Sequence, residues 1–128
     1  MRFNKKDYLF VYGTLKRGRT NHYLLRDATF VGEAVTKEKY AMYENVIPYV
    51  VKGKRVSHIK GEVYEVSLQT LKKVDLLEGH PRFYKREKVK VVLINSGKEL
   101  NAWMYFWRNS APDFFYLVKL NPTGEYLS

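Results

Sequence analysis

A chain of 128 residues, 45% hydrophobic and 28% charged, holds enough apolar side chain for the packed core of one domain, which excludes disordered and collagen-like chains. It contains no cysteine, so disulfide frameworks, thiolate metal sites, iron–sulfur clusters and a cysteine nucleophile are excluded as well. Lys and Arg number 23 against 13 Asp and Glu, a formal net charge of +10 that keeps nucleic acid and small anions among the candidate ligands.

Basic residues near the N-terminus precede the apolar run Tyr8 to Tyr12. That run is too short for a secretory core and no small-residue cleavage site follows it. No stretch approaches the ~18 apolar residues of a membrane helix, so no membrane partner and a cytoplasmic protein are expected. Tyr8 to Tyr12 is apolar on both faces and predicts a buried strand ending at Gly13. A glycine-punctuated loop, Gly13 to Gly18, leads to a short helix over Asn21 to Arg26. Phe30 to Tyr43 predicts one long or two shorter strands with a polar outer face. Ile47 to Val51 and Val56 to Val66 flank Lys52-Gly53-Lys54 and predict a hairpin.

The clearest helix is Leu68 to Glu78, with Ser67 as N-cap and Gly79 at the left-handed C′ position. Its expected stripe is Leu68, Leu71, Val74 and Asp75, with Leu77 on the flank. Phe83 to Ile94 and Leu100 to Trp107 predict a second hairpin through Asn95-Ser96-Gly97. The tail, Asn109 to Ser128, carries aromatics and an Asn-Pro-Thr-Gly turn suited to capping the core. Together these elements predict a single α+β domain over residues 1–128, a curved antiparallel or mixed sheet with one main helix.

Three constellations bear on chemistry. Gly13 to Thr20 reads G-x-x-x-x-G-R-T, but Arg19 stands where a phosphate-binding loop needs lysine. The apolar run Val91 to Ile94 ends in Asn95 and offers no aspartate for magnesium. Two readings of the loop remain: a tight glycine turn, or a nest of backbone N–H groups for a carboxylate or developing oxyanion. The second is Glu78, seven residues after Leu71 and four after Val74, which places it on the apolar stripe in the last helical turn. Burial and the negative end of the helix dipole both raise the pKa of such a carboxyl, the profile of a general base. A helix fraying one turn early would instead leave Glu78 in water. The third is Tyr84 and Arg86, which share a strand face. Arg86 is placed to pair with Asp75 or Glu78, and Tyr84 to donate a hydrogen bond into the same pocket.

The basic residues are scattered along the chain rather than gathered in one segment, and the aromatics fall mainly in apolar strands. Specific nucleic-acid binding is therefore not expected. His22, His58 and His80 lack metal-ligand spacing, so no metal is expected.

Val11-Tyr12-Gly13-Thr14-Leu15-Lys16-Arg17-Gly18, with Asn21-His22, resembles the opening motif of the γ-glutamylcyclotransferase-like family, in the form of its γ-glutamylamine cyclotransferase and AIG2-like branch. Gly61-Glu62-Val63-Tyr64, Asp75-x-x-Glu78-Gly79 and Tyr84-x-Arg86 follow in the family's order. The resemblance implies a small mixed β-barrel with flanking helices, and conversion of a small-molecule γ-glutamyl substrate to 5-oxoproline and a free amine without a cofactor. Carried over by motif, Tyr12, Gly13, Thr14 and Leu15 line the substrate loop and Glu78 is the catalytic acid and base. Tyr84 would then bind substrate, with Asp75 and Arg86 in support. Branches acting on glutathione or γ-glutamyl amino acids usually carry serine where Thr14 stands. A non-enzymatic domain that binds an acidic small molecule or a nucleic-acid phosphate is the alternative on the same residues.

Overall fold

The computed structural model describes residues 6–108 and 118–127. Its elements in chain order are β1 (Lys6–Val11), a 3-10 turn (His22–Leu25), β2 (Thr29–Glu44), β3 (Pro48–Val51), β4 (Ser57–Ser67), α1 (Leu68–Glu78), β5 (Tyr84–Leu93), β6 (Glu99–Trp107) and β7 (Lys119–Asn121). The strands pair in the order β2-β4-β1-β6-β5, and β5 returns to β2 through Ala34–Thr36 against Val91–Leu93, closing a five-stranded barrel. β1 runs parallel to β6 at Leu9 and Trp103, and the other pairings of the barrel are antiparallel. This is the small mixed barrel anticipated above, flanked by one α-helix and one 3-10 turn. Among the described residues no helix is long and apolar enough to cross a membrane.

The alternation of side chains along β1 explains why Tyr8 to Tyr12 reads as apolar on both faces. Phe10 and Tyr12 point into the barrel with Met42, Ile59, Val63, Met104 and Phe106. Leu9 and Val11 point outward into a second core with Tyr64, Val66, Leu71, Val74 and Tyr105, beneath α1. β1 is thus sandwiched between two apolar layers, and its C-terminal end emerges where barrel and helix meet.

The expected hairpin of Ile47–Val51 with Val56–Val66 does not form. β3 pairs with Ala41–Glu44 of β2, and β4 pairs with Thr29–Tyr40 of the same strand. Both run antiparallel to β2 in succession, so the segment around Gly53 joins two consecutive partners of one strand rather than reversing the chain. β2 reaches both because it is a single strand of 16 residues, bent at irregularities between Phe30 and Gly32 and between Val35 and Lys39. The second hairpin forms as expected, from Tyr84 opposite Trp107 to Val92 opposite Glu99.

α1 starts where Ser67 Oγ accepts a hydrogen bond from the Thr70 amide at 3.1 Å. It stops at Gly79, whose φ of 66° no side-chain-bearing residue adopts cheaply. Its buried face is narrower than the sequence stripe. Leu71 and Val74 are fully covered, whereas Leu68 and Leu77 are 54% and 40% exposed. One convex barrel wall contacts only the central line of the helix, which leaves the flanks in water. Residues 109–117 of the expected cap lie outside the described residues. Ser128 lies outside them too; the described part, residues 118–127, packs, with β7 on Met42–Glu44 and Tyr126 in the barrel core.

Candidate active site

The C-terminal end of β1, the Gly13–Leu15 loop, the Ile47–Pro48 turn, the end of α1, the start of β5 and the end of β6 converge on one pocket. Tyr12, Gly13, Thr14, Leu15, Glu78 and Tyr84, each singled out from sequence, all line it, together with Tyr105, Ile47 and Pro48. Helix α1 does not fray before Glu78. Its terminal carbonyls are taken by the cap, with Gly79 N–H donating to Leu76 O at 3.2 Å and His80 N–H to Asp75 O at 2.9 Å. The helix therefore delivers Glu78 to the pocket on a rigid turn.

The Glu78 carboxyl makes no hydrogen bond or ion pair with any described residue. Removal from water raises its pKa from 4.5 to about 7. Among the described residues it is also the only charged side chain on the pocket wall.

Asp75, one turn earlier, has the opposite environment. Arg86 grips it in a two-point bond, Nε to Oδ1 at 2.8 Å and Nη2 to Oδ2 at 3.1 Å, and Tyr105 donates its hydroxyl to Oδ1 at 2.5 Å. Burial works to raise the Asp75 pKa, but the hydrogen bonds from Arg86 and Tyr105 outweigh it and hold the group below its ordinary value. The two carboxyls of Asp75-x-x-Glu78 are thus pushed apart, one kept ionised and one poised near neutrality. Of the two partners open to Arg86 in the sequence, the structure selects Asp75. The guanidinium also lies over the Trp103 ring at 4.3 Å, which fixes it from a second side.

Tyr84 does not donate into the pocket. Its hydroxyl is engaged by Pro48 O at 3.3 Å, and its ring packs against Tyr49 and Trp107. Tyr12 likewise presents its ring, because its hydroxyl donates to Tyr105 O at 2.7 Å. Burial raises the pKa of both phenols, which stay neutral.

The Gly13 loop is closed by Lys16 N–H on Gly13 O at 3.1 Å and Asn21 N–H on Thr14 O at 2.9 Å. Asn21 Nδ2 donates to Thr14 Oγ1 at 2.9 Å, and His22 Nδ1 meets Leu15 O at 2.9 Å. Among the described residues no acceptor takes the amide N–H of Gly13, Thr14 or Leu15. The loop is thus a tight turn that leaves three donors beside the pocket.

Residues 9–127 match the family model for gamma-glutamyl cyclotransferase, AIG2-like. The chain belongs to this family. A Methanocaldococcus jannaschii relative that carries the gamma-glutamylcyclotransferase name provisionally is 55% identical over 105 residues, 81% of this chain and 87% of that protein. The gamma-glutamylaminecyclotransferase of Rattus norvegicus is 33% identical over 125 residues, covering 86% and 84% of the two chains. The crystal structure of an AIG2-like protein from Mus musculus superposes with a TM-score of 0.79 at 30% identity, over 94% of this chain and 88% of that one. The protein is a cyclotransferase of the gamma-glutamyl class.

Sequence reasoning about the cyclotransferase missed Tyr105, Ile47 and Pro48. Tyr105 enters because the β5–β6 register sets it opposite Arg86, a pairing that the Asn95-Ser96-Gly97 turn constrains but does not specify residue by residue. Pro48 enters through the pairing of β3 with β2. It also explains Gly13. Gly13 has no left-handed backbone, and a Cβ there would stand 2.9 Å from Pro48 Cγ, so glycine is required by close approach rather than by φ. Gly13→Val is expected to push the loop and the Ile47–Pro48 turn apart and to abolish turnover, with little change in circular dichroism. A folded and fully active Gly13→Val protein would show that the two walls of the pocket need not meet.

Proposed function

We propose that the enzyme releases 5-oxoproline and a free amine from a γ-glutamyl amine, with Glu78 carrying the proton. The observation behind this reading is the unpartnered Glu78 carboxyl, near neutral pKa, on the wall of an otherwise uncharged pocket. The α-amine of the substrate attacks its own γ-carbonyl carbon, forming the ring C–N bond. Glu78 takes the proton which that nitrogen sheds. As the tetrahedral intermediate collapses, the original amide C–N bond breaks and Glu78 returns the proton to the leaving nitrogen. Nucleophile and electrophile belong to one molecule, so the protein need supply neither a covalent nucleophile nor a cofactor; its part is orientation and charge stabilisation.

The free amides of Gly13 to Leu15 suit that part, as donors to the α-carboxylate or to the oxyanion. Asp75 and Arg86 support it by fixing the turn that bears Glu78, and the rings of Tyr12 and Tyr84 wall the cavity. The absence of a cation from the described pocket lining favours an amine leaving group over an amino acid, whose carboxylate would meet Glu78 without a counter-charge. That preference agrees with the name of the Rattus norvegicus relative.

The experiment is release of 5-oxoproline from a panel of γ-glutamyl alkylamines, γ-glutamyl amino acids and glutathione, with and without a chelator. Release from the alkylamines, unaffected by the chelator, is the expected result. Binding of panel members without release of 5-oxoproline would replace the reading by that of a binding domain.

A further inference from the structure

Residues 121–127 belong to no wall of the pocket, yet one of them touches both of its walls from behind. Tyr126 is 4% exposed, with its ring in the barrel core. Its hydroxyl donates to Val46 O at 2.8 Å, next to Ile47 and Pro48. Its carbonyl accepts from Lys16 Nζ at 2.8 Å, next to Leu15. Lys16 is itself buried at 9% exposure, and its amide closes the Gly13 turn. Arg19 reinforces the second contact, with its guanidinium 5.6 Å from the Tyr126 ring centre and Nη2 on Leu127 O at 2.9 Å.

The segment bearing Tyr126 is itself anchored. Asn121 Oδ1 accepts from the amides of Thr123 at 2.9 Å and Gly124 at 3.1 Å, and Asn121 Nδ2 donates to Glu125 O at 2.9 Å. Gly124 O accepts from Lys60 N–H at 2.9 Å. A Cβ on Gly124 would lie 2.1 Å from His58 O, so the segment lies flush on β4. A buried lysine is held by a backbone carbonyl, and a buried phenol by another, where a merely apolar cap would need neither bond.

We infer that residues 121–127 are a strap that sets the width of the substrate pocket, with Tyr126 and Lys16 as positioning residues that couple the Gly13–Leu15 loop to the Val46–Pro48 turn. The strap ties together, at a fixed distance, the two walls whose amides and rings receive the substrate. This rests on the pocket proposed above as the site of turnover, but not on the identity of the reaction.

The test compares Tyr126→Phe, which keeps the ring, and Lys16→Met, which keeps the aliphatic stem, with Lys16→Arg as the variant that restores a donor. Amide hydrogen exchange is followed at residues 16–21 and 45–47, alongside KM and kcat for a γ-glutamyl alkylamine. Loss of one such bond is worth about 3- to 10-fold in a local equilibrium. Exchange is expected to quicken by about that factor at 45–47 in Tyr126→Phe and at 16–21 in Lys16→Met, with β1 and β4 unchanged. KM rises by a similar factor while kcat moves less, and Lys16→Arg recovers most of it. Unchanged exchange in both segments overturns the inference, as does a fall in kcat at constant KM. If exchange responds as expected while the wild type releases no 5-oxoproline, the strap stands and the proposed reaction fails.

Discussion

Glu78→Gln is expected to lose about 10²- to 10⁴-fold of turnover, the usual worth of general acid–base assistance. Glutamine fills the same space on the same capped helix end, so the loss reports the missing proton acceptor rather than a reshaped pocket. The stability effect has the opposite sign. The folded pKa of Glu78, about 7, lies above its ordinary 4.5, so between those values the folded chain binds more protons than the unfolded one. The contribution of the protonated carboxyl to stability is complete below pH 4.5 and is lost as the pH rises through 7. Above that, ionised Glu78 costs the fold up to about 3 kcal/mol. Neutral glutamine avoids this cost, so Glu78→Gln should melt higher than wild type at pH 8, by up to about 10 °C, and nearly with it at pH 4.5. The wild-type rate should rise with pH through about 7 on its acidic limb, and the residual rate of the variant should lack that limb. 5-Oxoproline assays and thermal melts at both pH values check this. Near-normal turnover by Glu78→Gln would reduce Glu78 to an ordinary helix-end residue.

The second large effect is on the fold, at Gly61 of β4. A Cβ there would lie 2.2 Å from Val11 O and 2.9 Å from Phe10 Cζ, where β1 and β4 press together at the base of the substrate loop. Neither neighbour can yield cheaply, because one is barrel backbone and the other a fully buried core ring. Gly61→Ala is expected to cost about 3 kcal/mol, a large share of the roughly 5–15 kcal/mol available to a domain. Turnover should fall with it, since a displaced Val11 moves Tyr12 and Gly13. Gly32→Ala is the control: its Cβ would meet only Leu93 Cδ2 at an ordinary 3.4 Å, and its effect should stay within about 0.5 kcal/mol. Urea melts of the two variants decide between close approach at Gly61 and a general intolerance of alanine in these strands. Equal losses would remove the close-approach account.

Several parts of the site were legible in the chain because they depend on neighbours a few residues away. Ser67 and Gly79 bracket α1, and with its register known Glu78 falls on the apolar side of the last turn. Asp75 and Glu78 lie on that same helix and Arg86 on the next strand, so a shared environment was foreseeable. Which carboxyl took Arg86 was not. That choice depends on the β5–β6 register, which brings Tyr105 to the same Asp75 oxygen and leaves Glu78 alone.

The loop after β1 was legible as a glycine turn, whereas the reason for Gly13 was not, since Pro48 reaches it only because β3 pairs with β2 rather than with β4. The failed hairpin has the same origin. A glycine between two apolar runs marks a break in a strand, and only the length of β2 shows that both runs can lie along it. Barrel closure through Ala34–Thr36 and Val91–Leu93, and the strap joining Lys16 to a carbonyl 110 residues away, are likewise contacts between remote segments. The sequence by itself therefore determined the helix and its ends, the second hairpin, the turn at Gly13 and the place of Glu78 in the chain. The tertiary structure alone decided that the helix holds as far as Glu78 and leaves its carboxyl buried and unpaired rather than frayed into water. Caps, turns and periodicity are set by the covalent neighbourhood, whereas desolvation and pairing depend on which distant groups close over a residue.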